Sequence, residues 1–147
     1  MTYSRRAGCT LAVAAAVLLP VAPDAQAPPT DAKKPSIALR ATPPVGFAPL
    51  RVRGSVDVRD GSNDYPDFYC ASVEWDWGDG TISENYSDCD PYVAGKSTIQ
   101  RRFTAEHIYR QGGAYRIIFR LKQKTKAVGN ATTNVQVRSG VGEAFGR

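Results

Sequence analysis

Two carboxylates, Asp76 and Asp79, stand three residues apart in Trp75-Asp76-Trp77-Gly78-Asp79-Gly80. A carboxylate pair can divide acid and base roles in glycoside hydrolysis. The surrounding residues point elsewhere. Gly78 and Gly80 reach positive φ without penalty, so the pair lies in a tight turn, where Asp79 accepts backbone N–H bonds. His107 is the sole histidine. It lacks a serine on a Gly-x-Ser-x-Gly turn to activate. A phosphate-binding Gly-x-x-x-x-Gly-Lys loop and a His-Glu-x-x-His zinc motif are also missing from the sequence. The expectation is therefore no catalytic residue, no cofactor, and a structural role for His107 and Tyr109. Tyr109 is expected to bond nearby backbone in the manner of a tyrosine corner.

Oxygen-rich and sulfur-bearing residues come next. Asp57, Asp60, Ser62, Asn63, Asp64 and Asp67 crowd one stretch. Asp60-x-Ser62-x-Asp64 has the spacing that opens a calcium loop, and calcium needs six or more oxygens. Tyr65 stands where the loop glycine belongs, and Ala71 where its last acid belongs. Asp60, Ser62 and Asp64 are thus a weak calcium candidate, against a plain solvated turn. Cys70 and Cys89 are the cysteines outside the N-terminal segment. Zinc takes about four ligands, and only His107 is available to join them. In an exported chain such a pair is expected to form one disulfide.

Residues 1–27 have the pattern of an export signal. Arg5 and Arg6 precede the apolar run 11–19, and Ala25-Gln26-Ala27 fits a small-x-small cleavage site. Pro28 directly after that site is unfavourable for cleavage there. The formal net charge is +5, from nineteen basic and fourteen acidic residues. Without Arg5, Arg6 and Asp24 these become seventeen and thirteen, or about +4. The expected location is secreted, periplasmic or cell-surface, with no transmembrane segment in the mature chain and no nucleic-acid partner. Residues 28–35 read as a Pro-rich linker and 139–147 as a loose tail.

Between them the chain alternates as strands do. Ile37, Leu39 and Ala41 share one side before Pro43-Pro44 interrupts. Leu50, Val52, Val56 and Val58 face inward, with Arg51, Arg53, Ser55 and Asp57 outward. Val73, Trp75 and Trp77 share a face, and both tryptophans of the protein lie there. Residues 81–85 can run back as the next strand. Residues 97–103 read as a weak edge strand, because Arg101 interrupts Ile99 and Phe103. Tyr115, Ile117, Phe119 and Leu121 alternate with Arg116, Ile118, Arg120, Lys122 and Lys124, and Thr133, Val135 and Val137 make the last strand. About seven strands with short connections imply an all-β, Ig-like antiparallel two-sheet sandwich over 36–138.

Charge is unevenly distributed along these strands. Ten basic residues and one acidic residue lie between Lys96 and Arg138, and the reverse ratio holds between Asp57 and Asp90. Glu74 and Asp76 are expected to pair across strands with Arg116 and Arg120. Lys122, Lys124 and Lys126 would run past those partners and, with Arg138, form a candidate polyanion-binding stripe.

Trp75-Asp76-Trp77-Gly78-Asp79-Gly80, then His107-Ile108-Tyr109, then Gly113-Ala114-Tyr115 resembles the polycystic-kidney-disease (PKD) domain family. That family carries Trp-Asp-Phe-Gly-Asp-Gly, His-x-Tyr and Gly-x-Tyr in the same order. The run 44–50 also looks like the start of its second strand. Trp77 replaces the family's Phe, and the segment from Gly80 to His107 is longer than usual and holds Cys89. The resemblance implies an extracellular Ig-like module without catalysis. In exported bacterial proteins such modules bind or space beside catalytic domains, and none is attached here. The expected function is binding of protein or polysaccharide, with an anionic partner the one the charge stripe would select. The rival classes are a small secreted hydrolase and a purely structural assembly module.

Overall fold

The computed structural model describes residues 32–140. The export-signal segment 1–27, the first residues of the expected linker and the tail 141–147 lie outside the described residues.

Eight strands form two sheets: β1 (Ser36–Thr42), β2 (Val45–Phe47), β3 (Leu50–Arg59), β4 (Ser72–Asp76), β5 (Ile82–Asn85), β6 (Arg102–Tyr109), β7 (Gly113–Gln123) and β8 (Lys126–Arg138). The three-stranded sheet has the order β1-β3-β6, and the five-stranded sheet β2-β8-β7-β4-β5. The all-β, Ig-like two-sheet sandwich stands. Its pairs are antiparallel except for a short parallel pair, β2 with β8. Pro43 and Pro44 lack N–H donors and end the β1 ladder, so the chain leaves the first sheet and joins the second.

The inward faces alternate as the sequence requires. Val52, Val56 and Val58 of β3 meet Trp75 of β4, Ile117, Phe119 and Leu121 of β7, and Val135 and Val137 of β8 in one core. Trp75 and Trp77 are both buried and stack on each other at 5.5 Å. Gly54 also faces inward. A Cβ there would come within 2.5 Å of the Trp75 ring, so the glycine makes room for the indole.

Two boundaries differ from the sequence reading. The edge strand of the smaller sheet is Arg102–Tyr109 rather than 97–103, and residues 97–101 are not strand. Its core-facing series is Phe103, Ala105, His107 and Tyr109, and Arg101 lies outside it. Lys33 and Pro35, expected in a linker, are docked: the Lys33 carbonyl accepts from the Ser62 N–H at 2.9 Å, and Pro35 is buried.

Candidate binding surfaces

The three motifs that suggested a family converge at one end of the sandwich. After β4 the chain turns through Gly78 (φ +78°) and Gly80 (φ +90°). A Cβ on Gly78 would meet the Arg116 carbonyl at 2.6 Å, so β7 passes too close for any side chain there. Asp76 and Asp79 brace this turn. Asp76 Oδ1 accepts from the Gly78 N–H at 3.1 Å. Asp79 Oδ1 accepts from the Thr81 N–H at 3.1 Å and its hydroxyl at 2.6 Å. The other Asp79 oxygen lies 2.7 Å from His107 Nε2 on β6. Burial pushes the Asp79 carboxyl up, but the Thr81 and His107 bonds outweigh it and hold the group below the usual carboxylate range.

Rings carry the connection onward. His107 stacks on Trp77 at 4.9 Å and meets Tyr109 edge-on at 4.7 Å. Tyr109 stacks on Tyr115 at 4.3 Å. The Tyr109 hydroxyl donates to the Trp77 carbonyl at 2.8 Å in a fully buried position. The expected bond to nearby backbone is thus a bond between sheets, reaching 32 residues back along the chain. Burial, with the Asp79 charge in support, pushes the Tyr109 phenol well above its ordinary value. Asp79 binds His107 and Thr81 directly, and the cluster holds the ends of β4, β6 and β7 together.

Of the calcium candidates Asp60, Ser62 and Asp64, the two carboxylates bond different partners. The Asp60 carboxylate accepts from Ser36 Oγ at 3.4 Å, and Asp64 from the Gly95 N–H at 3.3 Å. The oxygens of this loop that do converge meet a guanidinium. Arg101 donates to Asn63 Oδ1 at 2.8 and 2.6 Å, and to the carbonyls of Val58 (3.2 Å), Asp60 (2.9 Å) and Gly61 (3.3 Å). Arg101, which interrupts the alternation of Ile99 and Phe103 in the sequence, is thus a clamp on the preceding loop. A planar fork with five donors suits such a set of acceptors. Among the described residues no group of three or more His, Cys, Asp or Glu side chains could hold a metal.

Cys70 and Cys89 are joined, with Cα atoms 6.0 Å apart. The bridge ties the segment after β5 to the start of β4. Tyr69 and Tyr92 pack edge-on beside it, and their hydroxyls donate to the carbonyls of Asp90 (2.9 Å) and Asp64 (2.7 Å).

The four proposed polyanion ligands are not gathered. Lys122 Nζ lies 2.7 Å from Glu74 and 3.2 Å from Glu84, and these bonds raise its pKa. Glu74 also receives Arg120, and the Lys122 bond leads in holding its pKa low against partial burial. Lys122 is therefore paired where it was expected to be available. In the β4–β7 register, Arg120 and Ser72 are the positions opposite Glu74 and Lys122, which lets one carboxylate reach both cations. Arg138 stands at the opposite end of β8 from Lys126, 5.9 Å over the Phe47 ring. Lys124 and Lys126 are exposed at the β7–β8 turn.

A second charged surface lies on the outer face of the smaller sheet. Arg40 of β1, Arg51, Arg53 and Arg59 of β3, and Arg102 of β6 all point to solvent there, with Asp57 and Glu106 as its acids. Glu106 is shared by Arg51 (3.2 Å) and Arg53 (2.7 Å), and Asp57 by Arg102 (3.2 Å) and Arg59 (3.6 Å). Arg40 has no ion pair among the described residues. The signal was present in the outward positions of 50–59, but these arginines are scattered over three segments and only the strand register assembles them.

No family model matches the chain, and no curated protein does. Among solved structures, the CARDB domain of the PF1109 protein from Pyrococcus furiosus, described in complex with di-metal ions, superposes with a TM-score of 0.50 and 16% identity, over 74% of this chain and 90% of that one. The PKD domain of an M14-like peptidase from Thermoplasmatales archaeon SCGC AB-540-F20 gives a TM-score of 0.48 and 15% identity, over 72% and 98%. A superoxide reductase (neelaredoxin) from Ignicoccus hospitalis gives 0.41 and 11%, over 72% and 82%. At these identities what is shared is the fold.

Proposed function

We propose that this chain is an exported, non-enzymatic binding module that engages protein or polysaccharide at the cell surface or in the periplasm. Its main support is a division of roles within the sandwich. Asp76, Asp79, His107 and Tyr109 are engaged in fixing the turn after β4 and the neighbouring strand ends, while surplus charge is displayed on open sheet faces. A flat, charged face suits recognition of an extended or surface-borne partner. The Cys70–Cys89 bridge fits an oxidising compartment. The export pattern in residues 1–27 agrees with it.

The test is a binding screen of the mature protein against glycans and surface-protein extracts, run beside hydrolase assays on the same glycans and on peptides. Saturable binding without turnover is the expected result. Turnover that disappears in Asp79→Asn or His107→Ala protein, while the fold is kept, would overturn the proposal.

A further inference from the structure

We propose that the outer face of the β1-β3-β6 sheet is the ligand-binding surface, and that it takes an anionic polysaccharide bearing carboxylate or sulfate groups. This rests on the binding-module reading above and names its surface and ligand class. Five arginines and two acids leave that face at +3. The surplus is spread along the strands. Arg51 and Arg53 share Glu106 at one end, Arg59 and Arg102 share Asp57 at the other, and Arg40 stands between, on the row of Ser55 and Thr104. Rows two residues apart on a strand are separated by about 7 Å. The rows of Arg51, Arg40 and Arg59 each carry a net +1 and the two rows between them are neutral, so the surplus charge recurs on every second row, about 14 Å apart. The opposite sheet concentrates its acids at its centre and leaves Lys124 and Lys126 out at the β7–β8 turn. On that sheet Arg120 and Lys122 pair with Glu74, Asp76 and Glu84, while Arg116 and Arg138 make no ion pair among the described residues and stand apart from each other.

Arginine forks bind carboxylate and sulfate oxygens in pairs, and they stay protonated at any physiological pH. The Arg51, Arg53 and Arg102 side chains are 68%, 63% and 79% exposed, so a ligand can reach them. The rest of the face narrows the ligand class. It has no exposed aromatic ring, and single-stranded nucleic acid needs such rings to stack bases. Ile108 at its rim is the sole large apolar side chain on it, which is too little to anchor in a lipid surface. Protein partners are favoured by a patch with an apolar centre, and this face has a charged one. A flexible polymer with regularly repeated anions matches a flat row of cations and needs no apolar anchor.

The experiment measures binding of polygalacturonate and dextran sulfate to the folded, disulfide-bonded protein, with uncharged dextran as reference. Arg40→Gln/Arg51→Gln/Arg102→Gln removes three charges yet leaves each acid one partner, Glu106 with Arg53 and Asp57 with Arg59. Arg116→Gln/Lys124→Gln/Lys126→Gln removes the same total charge from the other sheet and its turn. The expected result is binding of at least one acidic polymer by the wild type and by the second variant. The first variant should bind roughly tenfold or more weakly. Binding should also fade as salt rises from 0.1 M to 1 M, where the Debye length shrinks from ~10 to ~3 Å. Thermal melts confirm that both variants fold, and Arg40→Glu, which disturbs no pair, should weaken binding by itself. Equal binding by the two triple variants overturns the proposal, as does tighter binding to a polynucleotide or to phosphatidylglycerol vesicles. Wild type that binds a neutral glycan or a protein, but neither acidic polymer, refutes this surface and leaves the binding-module reading intact. Turnover of a glycan refutes that reading instead.

Discussion

Tyr109→Phe isolates the bond that joins the two sheets at the motif end. The substitution keeps the ring, and so its stacking on Tyr115 at 4.3 Å and its edge contact with His107 at 4.7 Å. It removes one hydroxyl, 2.8 Å from the Trp77 carbonyl. A neutral hydrogen bond contributes about 1 kcal/mol net, and a buried acceptor left without its donor costs about 1–3 kcal/mol. Tyr109 is fully buried, so water cannot easily replace the lost donor. The upper part of that range therefore applies, about 2–3 kcal/mol. In a domain of about 100 residues each kcal/mol moves Tm by roughly 4–8 °C, which puts the shift near 10–20 °C. Urea unfolding followed by tryptophan fluorescence, together with a thermal melt, measures it. The urea slope should stay unchanged, because the buried area does not change. Tyr115→Phe is the matched control. Its hydroxyl donates to the Gln111 carbonyl near the surface, and its loss should cost under about 1 kcal/mol. If Tyr109→Phe melts within about 1 °C of the wild type, the inter-sheet bond contributes nothing and the motif acts through its rings alone.

The other expectations concern packing, the loop clamp, the bridge and pH. Gly54→Ala drives a methyl to within 2.5 Å of Trp75 and should cost about 1–3 kcal/mol by overpacking, read as a lower urea midpoint. Arg101→Ala frees the acceptors of Val58, Asp60, Gly61 and Asn63 and should destabilise by about 1–3 kcal/mol. Arg101→Lys should recover little, since an ammonium cannot reproduce the fork, and equal melting of the Lys variant and wild type would contradict this. Cys70→Ser/Cys89→Ser opens a loop with a sequence separation of 19 and should lose about 3 kcal/mol in the chain-entropy account, with an unchanged Tm as the refuting result. Asp79 and Glu74 titrate lower in the folded than in the unfolded chain. Their stabilisation is complete above the unfolded carboxylate pKa of about 4 and disappears as pH falls through the lowered folded values. Asp79→Asn should flatten the acid limb of stability against pH, and an unchanged limb would show that Asp79 gains nothing on folding.

The fold was legible in the sequence because alternation determines a face. Val52, Val56, Trp75, Ile117, Phe119 and Val135 each lie inside, where period two places them. The turn at Gly78-Asp79-Gly80 was equally legible, since positive φ and Asx bonding are local properties of those residue types. Long-range pairing was not. Tyr109 could be assigned a hydroxyl partner in kind but not in position, because its acceptor is fixed by the packing of one sheet on the other. Arg101 looked like an error in a strand because its partners, residues 58–63, are neighbours only in three dimensions. Charge pairing was hidden for the same reason, since a cation's partner sits on another strand. Ten cations between Lys96 and Arg138 are conspicuous in a linear count, yet the register brings Glu74 between Arg120 and Lys122 and pairs those two.

The arginine face illustrates how a sandwich separates stability from recognition. The outward positions of β1, β3 and β6 contribute little to the core, so their residue types are free of packing demands. Exposed ion pairs there contribute only about 0–1 kcal/mol each. Four arginines on two carboxylates, with Arg40 unpaired, are therefore a poor stabilising device: the three surplus cations add mutual repulsion and little else. Glu106 and Asp57 lie toward the two ends of the face, each gripped by two arginines, and this spaces the forks along the strands. Such an arrangement gives up stability in the free protein, and the proposed ligand would restore it. A melting temperature that rises with added polygalacturonate or dextran sulfate in the wild type, and stays flat in the Arg40→Gln/Arg51→Gln/Arg102→Gln protein, is the consequence. A wild-type melting temperature that both polymers leave unmoved, at concentrations where binding saturates, would show that the unpaired arginines are not the groups that hold the ligand.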